Sequence, residues 1–265
     1  MSTPESWLGQ IPGDWQLRRL STLGTFAKGS GGSKEDNRDK GLPVVRYGEL
    51  YTRFDKVIAE AHSFIGEDAA PRYTRLHRGT IVFAGSGEDP EDIGKSALSL
   101  LEDPVFVGGD TVLFTPTSGE VDGVYLAYVL ESRPLKALKA IRATGFTVVH
   151  ISAGKLKTLP IPLPPLAEQR AIVESLVRET ARIDELVAEQ QCLIDLLRER
   201  RVALRAHVAL HGTVPTDEVE SALPWARSLP ADWRVVPLTS VAQLESGHTP
   251  SRVEKTGGAT AISRG

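Results

Sequence analysis

Leu159-Pro160-Ile161-Pro162-Leu163-Pro164-Pro165-Leu166-Ala167-Glu168-Gln169 closes a proline-rich run and opens an unbroken helical pattern that reaches about His211. Past the prolines, Ile172, Leu176, Ile183, Leu186, Leu193, Leu197 and Leu204 fall on one alternation of four- and three-residue steps, whose remaining positions are Glu179, Gln190 and Arg200. That is a heptad seam. Pro164 and Pro165 disfavour helix before them, Pro165 suits a first helical position, and Glu168 puts negative charge on the first turn. At the far end Arg205, His207 and His211 lie near the carbonyl terminus, Gly212 is placed as a left-handed cap, and Pro215 prevents the helix from resuming. A helix of this extent is about 65 Å long, too long to lie across one small domain. An amphipathic helix packed on its own domain is the competing reading; the length, the heptad period and charged flanks such as Arg178, Glu185 and Arg198 favour a coiled-coil arm. Val173, Val177, Val187 and Ile194 widen the stripe, which leaves room for more than one partner helix.

The chain has 265 residues, enough for one large domain or two modest ones, and its 41% hydrophobic and 25% charged residues fit a soluble protein with a real core. Its one cysteine, Cys192, excludes an internal disulfide and a cysteine-clustered zinc site, and is expected to be a buried thiol beside the seam. No apolar run approaches membrane-spanning length and Met1–Ser6 lacks the features of a signal peptide, so a cytoplasmic protein without membrane contact is expected. A net charge of −3 argues against a chain that grips nucleic acid unaided. Any DNA role needs a local basic face or a helping partner.

Residues 1–160 are punctuated by glycine and proline. They carry strand-like runs at Leu42–Tyr47, Thr80–Ala84, Val105–Val107, Thr111–Phe114 and Phe146–His150, with one strongly helical patch at Gly123–Ser132 and a possible second turn after Pro134. The fold class expected is α+β, a β-rich domain followed by the long helix. Residues 213–228 read as a linker, after which the opening of the chain returns. Trp7, Pro12-Gly13-Asp14-Trp15, Leu20, Gly29 and Ser33 are answered by Trp225, Pro230-Ala231-Asp232-Trp233, Leu238, Gly247 and Ser251, each 218 residues later. A period that long is a domain duplication with the helix as link, and residues 229–265 hold only the start of the second copy.

The motifs that invite chemistry fail on inspection. Gly85 to Ser96 follows a strand and ends in Gly94-Lys95-Ser96, yet six residues rather than four separate Gly87 from Gly94, and Glu88, Asp89, Glu91 and Asp92 would repel phosphates. The same acids beside Lys95 have one residue too many for the acid-x-lysine step of a nuclease. His207 and His211, one turn apart, lack a third ligand and already suit a helix C-terminus. No glycine-rich methyl-donor loop or Asn/Asp-Pro-Pro-aromatic motif is present; Leu163-Pro164-Pro165-Leu166 has neither the polar nor the aromatic residue. The expectation is a non-catalytic chain with no cofactor and no metal.

These features together resemble the specificity (S) subunit of type I restriction-modification enzymes, here half-length or truncated. Leu159 to Val173 is similar to the start of that family's central conserved region and Arg200 to Gly212 to its end. The Pro12-x-Asp14-Trp15 opening, the Pro43-Val44-Val45-Arg46 strand and the Ser86-Gly87…Gly94-Lys95 loop extend the likeness over nearly the whole chain. The resemblance implies a target-recognition domain over 1–160, a conserved coiled-coil helix over 161–212 that spaces the domains and docks other subunits, the linker 213–228, and a truncated second recognition domain over 229–265. It implies a subunit that reads one half of a split target in double-stranded DNA and docks the modification (methyltransferase) subunit, with the restriction subunit reached indirectly and catalysis left to those partners. The family normally carries two recognition domains and two long helices. With one of each complete here, pairing of the helix in a homodimer is expected.

Candidate readers under this resemblance are long or forked polar side chains on loops: Lys28, Ser30, Lys34, Arg46, Tyr47, Arg53, Lys95, Arg142, Thr144 and Thr147. Arginine and lysine can read guanine, whereas serine and threonine select less. The competing function class is a non-catalytic coiled-coil interaction protein with a β-rich head and no DNA role.

Overall fold

The computed structural model describes residues 11–243 apart from 103 and 215, and of Lys34 the backbone alone. Internal contacts divide the chain into two units, meeting at Glu185 and Leu186.

The first unit is built around Ile81-Val82-Phe83-Ala84, four apolar residues in a row that are all buried. Successive side chains of a strand leave opposite faces, so Ile81 and Phe83 enter one core cluster and Val82 and Ala84 another. A strand of this kind needs a cover on both sides. It lies at the centre of a five-stranded sheet whose spatial order is Gly24–Lys28, Thr111–Pro116, Ile81–Ala84, Ser96–Ser99 and Val57–Ile58, antiparallel except for the last pair. Val112 and Phe114 repeat the first facing and Leu113 the second.

One cover is helical. Helix α1 is Tyr47–Thr52; α2 (Gly123–Leu130), α3 (Arg133–Arg142) and α4 (Ala153–Lys157) supply Leu126, Leu130, Leu135, Leu138 and Leu156 to the cluster around Phe83 and Phe114. Asp122 caps α2, its carboxylate accepting from the backbone N–H of Val124 and Tyr125 at 2.9 and 3.0 Å. The other cover is a second five-stranded sheet, in order Asn37–Arg38, Ser63–Ile65, Leu42–Val45, Val105–Val107 and Thr74–Leu76, which joins α1 in burying Val82, Ala84 and Leu113. The α+β expectation therefore holds, as does a β-rich region that precedes a long helix.

That helix, α5, runs unbroken over Leu166–His211, 46 residues or about 69 Å. Gly212 closes it at φ 74°, its N–H donating to the carbonyl of Val208 at 2.9 Å. In the second unit the residues after the cap include an antiparallel pair, Glu218–Glu220 with Ser228–Pro230, and a 3-10 turn at Leu238–Ser240.

Several local expectations are corrected. The strand from Leu42 ends at Val45, and Tyr47 opens α1 because Glu49 reaches back to accept from the Arg46 N–H at 2.8 Å. Of Phe146–His150 only Val149 and His150 are strand, since Gly145 at φ 122° turns the chain. Pro160–Leu163, which reads as a lead into the helix, is itself a strand on Gln16–Arg19; a two-stranded ribbon is all edge and tolerates the prolines. Cys192 is exposed rather than buried. No described helix is long and apolar enough to cross a membrane.

Candidate nucleic-acid interface

The head carries the root of α5 rigidly. Gln169 is buried and makes three hydrogen bonds: its carbonyl accepts from the Asp122 N–H, and its amide donates to the carbonyls of Glu120 and Pro164, all at 2.8 Å. Trp15 donates from Nε1 to Glu168 Oε1 at 3.2 Å, and the Tyr125 hydroxyl to the Pro162 carbonyl at 2.9 Å. These groups come from the residue before the first strand, from α2 and its cap, and from the proline run, so the first turn of α5 is tied to the head at several points. Along α5 the seam residues Leu176, Ile183, Leu186, Leu193, Leu197 and Leu204 are 38–58% exposed, and Ile172 is half-buried.

The candidate readers fall into groups. Ser30 and Arg46 are already engaged within the second sheet: Ser30 Oγ contacts the Arg72 carbonyl and Thr74 Oγ1 at 3.0 and 2.9 Å, while the Arg46 guanidinium donates to Asn37 and lies over the Tyr73 ring. Lys34 opens the 3-10 turn Lys34–Asp36, and its side chain lies outside the described residues. Arg53 ends α1 and is exposed. Lys95 is half-buried between Gly94 and the strand Ser96–Ser99.

The remaining candidates gather about a hairpin. Arg142 donates to Thr158 Oγ1 at 2.8 Å, Lys155 Nζ lies 3.3 Å from Thr144 Oγ1, and Thr147 is exposed at the tip. One cleft beside the hairpin, of about 440 Å³, is lined by Lys28, Ser86, Asp110, His150 and Lys157. A second of about 440 Å³ is lined by Tyr47, Tyr51, Glu88, Asp89 and Val148. Burial pushes the Tyr51 hydroxyl above its ordinary range, so it stays a neutral donor, here to the Ser86 carbonyl at 3.0 Å.

Sequence reading passed over the pair Ser86 and His150. They face each other across two short strands, with Ser86 Oγ 2.9 Å from His150 Nδ1. Nucleophilic catalysis would need a group to orient the imidazole, and among the described residues no carboxylate bonds its other nitrogen. The geometry is that of a cross-strand tie.

The acidic loop has an internal role. Lys136 pairs with Asp92, which holds that carboxyl below the usual range. Lys139, 1% exposed, reaches Glu131 at 2.9 Å and the Gly94 carbonyl at 2.7 Å, while Glu131 accepts from the N–H and hydroxyl of Ser96. Burial pulls the Lys139 ammonium down, and the Glu131 carboxylate opposes that pull. The Gly94-Lys95-Ser96 string that resembles a phosphate loop thus fastens the loop to α3. Among the described residues no group of three His, Cys, Asp or Glu could hold a metal.

Comparison with known proteins places this architecture. The family described as type I restriction modification DNA specificity domain matches residues 12–191. The type I restriction enzyme MjaVIII specificity subunit of Methanocaldococcus jannaschii is 28% identical over 66% of this chain and 41% of its own. The StySPI specificity subunit of Salmonella potsdam is 25% identical over 78% of this chain and 45% of its own. A solved chain, from work on complex assembly and conformational transition of the type I R-M system, aligns with TM-score 0.59 and 19% identity over 75% of this chain and 46% of that one, a likeness of fold. The chain spans about half the length of the curated relatives it matches. It belongs to the type I restriction modification DNA specificity family.

Proposed function

We propose that this chain is a non-catalytic, cytoplasmic DNA-reading subunit of a type I restriction-modification system. In this reading residues 1–160 recognise one half of a split target in double-stranded DNA, and residues 161–212 hold the spacing and dock the modification subunit, through which the restriction subunit is reached. Residues 213–228 link this part to the start of a second recognition domain over 229–265. The observation that carries it is the root of α5: three hydrogen bonds from one buried glutamine fix a long helix to the reading head. A spacer measures distance only when its ends do not swivel. The uncovered seam supports pairing with a second long helix, which a homodimer would supply, because seven buried seam residues are worth roughly 1.5–3 kcal/mol each.

The test is an insertion of one heptad between Glu185 and Leu186, assayed with the modification subunit on a randomised duplex pool. The insertion keeps the seam in phase and adds about 10 Å, equivalent to roughly three base pairs of spacer. The expected result is a selected target with a lengthened spacer, or lost binding where the added rotation between half-sites is not tolerated. Tight binding with an unchanged spacer would remove the ruler. Absence of salt-dependent duplex binding by the parent complex would remove the DNA reading and leave a coiled-coil interaction protein.

A further inference from the structure

The hairpin between the two clefts presents an aromatic side chain to solvent from a fixed base. Thr144 and His150 exchange backbone hydrogen bonds at 3.0 and 2.8 Å, Val149 and His150 pair with Gly87 and Ser86, and the Ser86–His150 contact ties the side chains. The turn requires its glycine: at Gly145, φ 122°, a Cβ would stand 2.1 Å from the Val148 carbonyl oxygen. The consequence is that Phe146 is 103% exposed, with Val148 and Ile141 also exposed nearby in the chain. A single exposed apolar residue is ordinary. One held out on a doubly anchored turn, beside further exposed apolar residues, is a feature of contact surfaces.

Charge says what the contact is with. Between Glu131 and Glu168 the chain carries Arg133, Lys136, Lys139, Arg142, Lys155 and Lys157 and no Asp or Glu, although the whole chain has net charge −3. Asp92 and Glu131 take up Lys136 and Lys139. The other four have no carboxylate partner among the described residues. The carboxylates near the hairpin are Glu88 and Asp89 in the cleft that Val148 lines and Asp110 in the cleft of Lys28. Asp110 shares its cleft with both Lys28 and Lys157 and pairs with neither, so the Lys155–Lys157 side keeps an excess of cations open to a polyanion.

We propose that the 144–150 hairpin probes the groove of duplex DNA, with Phe146 packed against base edges while Lys155 and Lys157 hold flanking phosphates. Apolar side chains discriminate bases through thymine methyls or by wedging at a base step, whereas phosphate contacts position without reading sequence. The inference rests on the DNA-reading function above and assigns it a residue.

The experiment uses the full chain with the modification subunit, on the duplex enriched from a random pool and on a scrambled duplex, across a salt series. Phe146→Ala is expected to bind the enriched duplex about tenfold more weakly. It should leave the scrambled duplex, the melting temperature and the salt slope unchanged. Lys155→Ala with Lys157→Ala is expected to weaken both duplexes and flatten the salt slope by roughly two. Parent-like binding of both duplexes by Phe146→Ala would overturn the inference while leaving the function intact. Loss of the modification subunit from that variant would overturn it in favour of a protein-docking hairpin. A parent complex that binds neither duplex would remove both the inference and the function it rests on.

Discussion

Two openings 218 residues apart share a pattern of residues and part of their structure. In the first the Trp15 N–H donates to the Pro12 carbonyl at 3.0 Å, and the 3-10 turn Leu20–Thr22 closes with Leu23 N–H on Leu20 at 3.1 Å. In the second the Trp233 N–H donates to Pro230 at 2.9 Å, and Leu238–Ser240 closes with Val241 N–H on Leu238 at 3.1 Å. Between these turns the copies part. Gln16–Arg19 is a strand on Pro160–Leu163, whereas residues 234–237 belong to no strand, and Leu20 is fully buried where Leu238 is 61% exposed. Turns close within four residues and travel with the local sequence. A strand and a buried leucine need partners from elsewhere in the chain, which the first copy finds in the proline run and the core around Phe114.

The largest effect that follows is on the paired leucines. Leu20→Ala leaves a cavity in the closed core and is expected to cost about 2–5 kcal/mol in denaturant unfolding of the first unit. Leu238→Ala is expected to change stability by less than about 0.5 kcal/mol. Equal losses would mean that Leu238 is covered in solution, by another molecule or by residues outside those described.

The tryptophans differ less. Trp15 donates to Glu168 on the first turn of α5, so Trp15→Phe removes one hydrogen bond and is expected to cost about 1 kcal/mol. In the second unit the Trp233 ring lies 3.5 Å from where a Cβ at Gly212 would stand, a packing contact that phenylalanine partly keeps. Trp233→Phe is therefore expected to cost less, read as a smaller shift in the unfolding midpoint of the second unit. A larger loss at Trp233 would show that the second opening is the more firmly seated.

The same division between local and distant causes explains how much was legible. The heptad period, the prolines before Leu166 and the glycine after His211 are local signals, and the helix follows them. The pairing of Pro160–Leu163 with Gln16–Arg19 joins residues far apart in the chain, and nothing in either segment names the other. Spacing and charge already exclude a phosphate loop at Gly94-Lys95-Ser96, but the use that Glu131 and Lys139 make of its backbone and hydroxyl joins distant residues and is not legible in the sequence. Arg46 and Arg142 qualified as readers by type, yet both have partners within the fold. Phe146 was passed over because the run from it to His150 has the composition of a strand. The signals that mark it are the glycine before it and the cationic stretch without carboxylates around it.

The smallest effect expected concerns the hairpin that leads into the second opening. Glu218–Glu220 pairs with Ser228–Pro230, and the Ala231 N–H donates to the Asp217 carbonyl at 2.8 Å, so this ribbon holds the turn that Pro230 begins. The Ser228 hydroxyl donates to the Glu218 carboxylate, and His211 Nδ1 lies 2.9 Å from it; both hold the carboxyl below its ordinary value of 4.5. A carboxyl whose folded pKa is depressed contributes stability that is fully present above its unfolded value and lost as pH falls through the folded one. Amide signals of Val219 and Leu229 should therefore hold steady down to about pH 5 and move toward unpaired values as the solution is acidified further. Glu218→Gln should remove that acid limb without touching Leu17 and Ile161, which lie in the paired ribbon of the first opening. Identical acid titrations of Val219 and Leu229 in parent and variant would show that cross-strand backbone pairing alone holds the second opening in place.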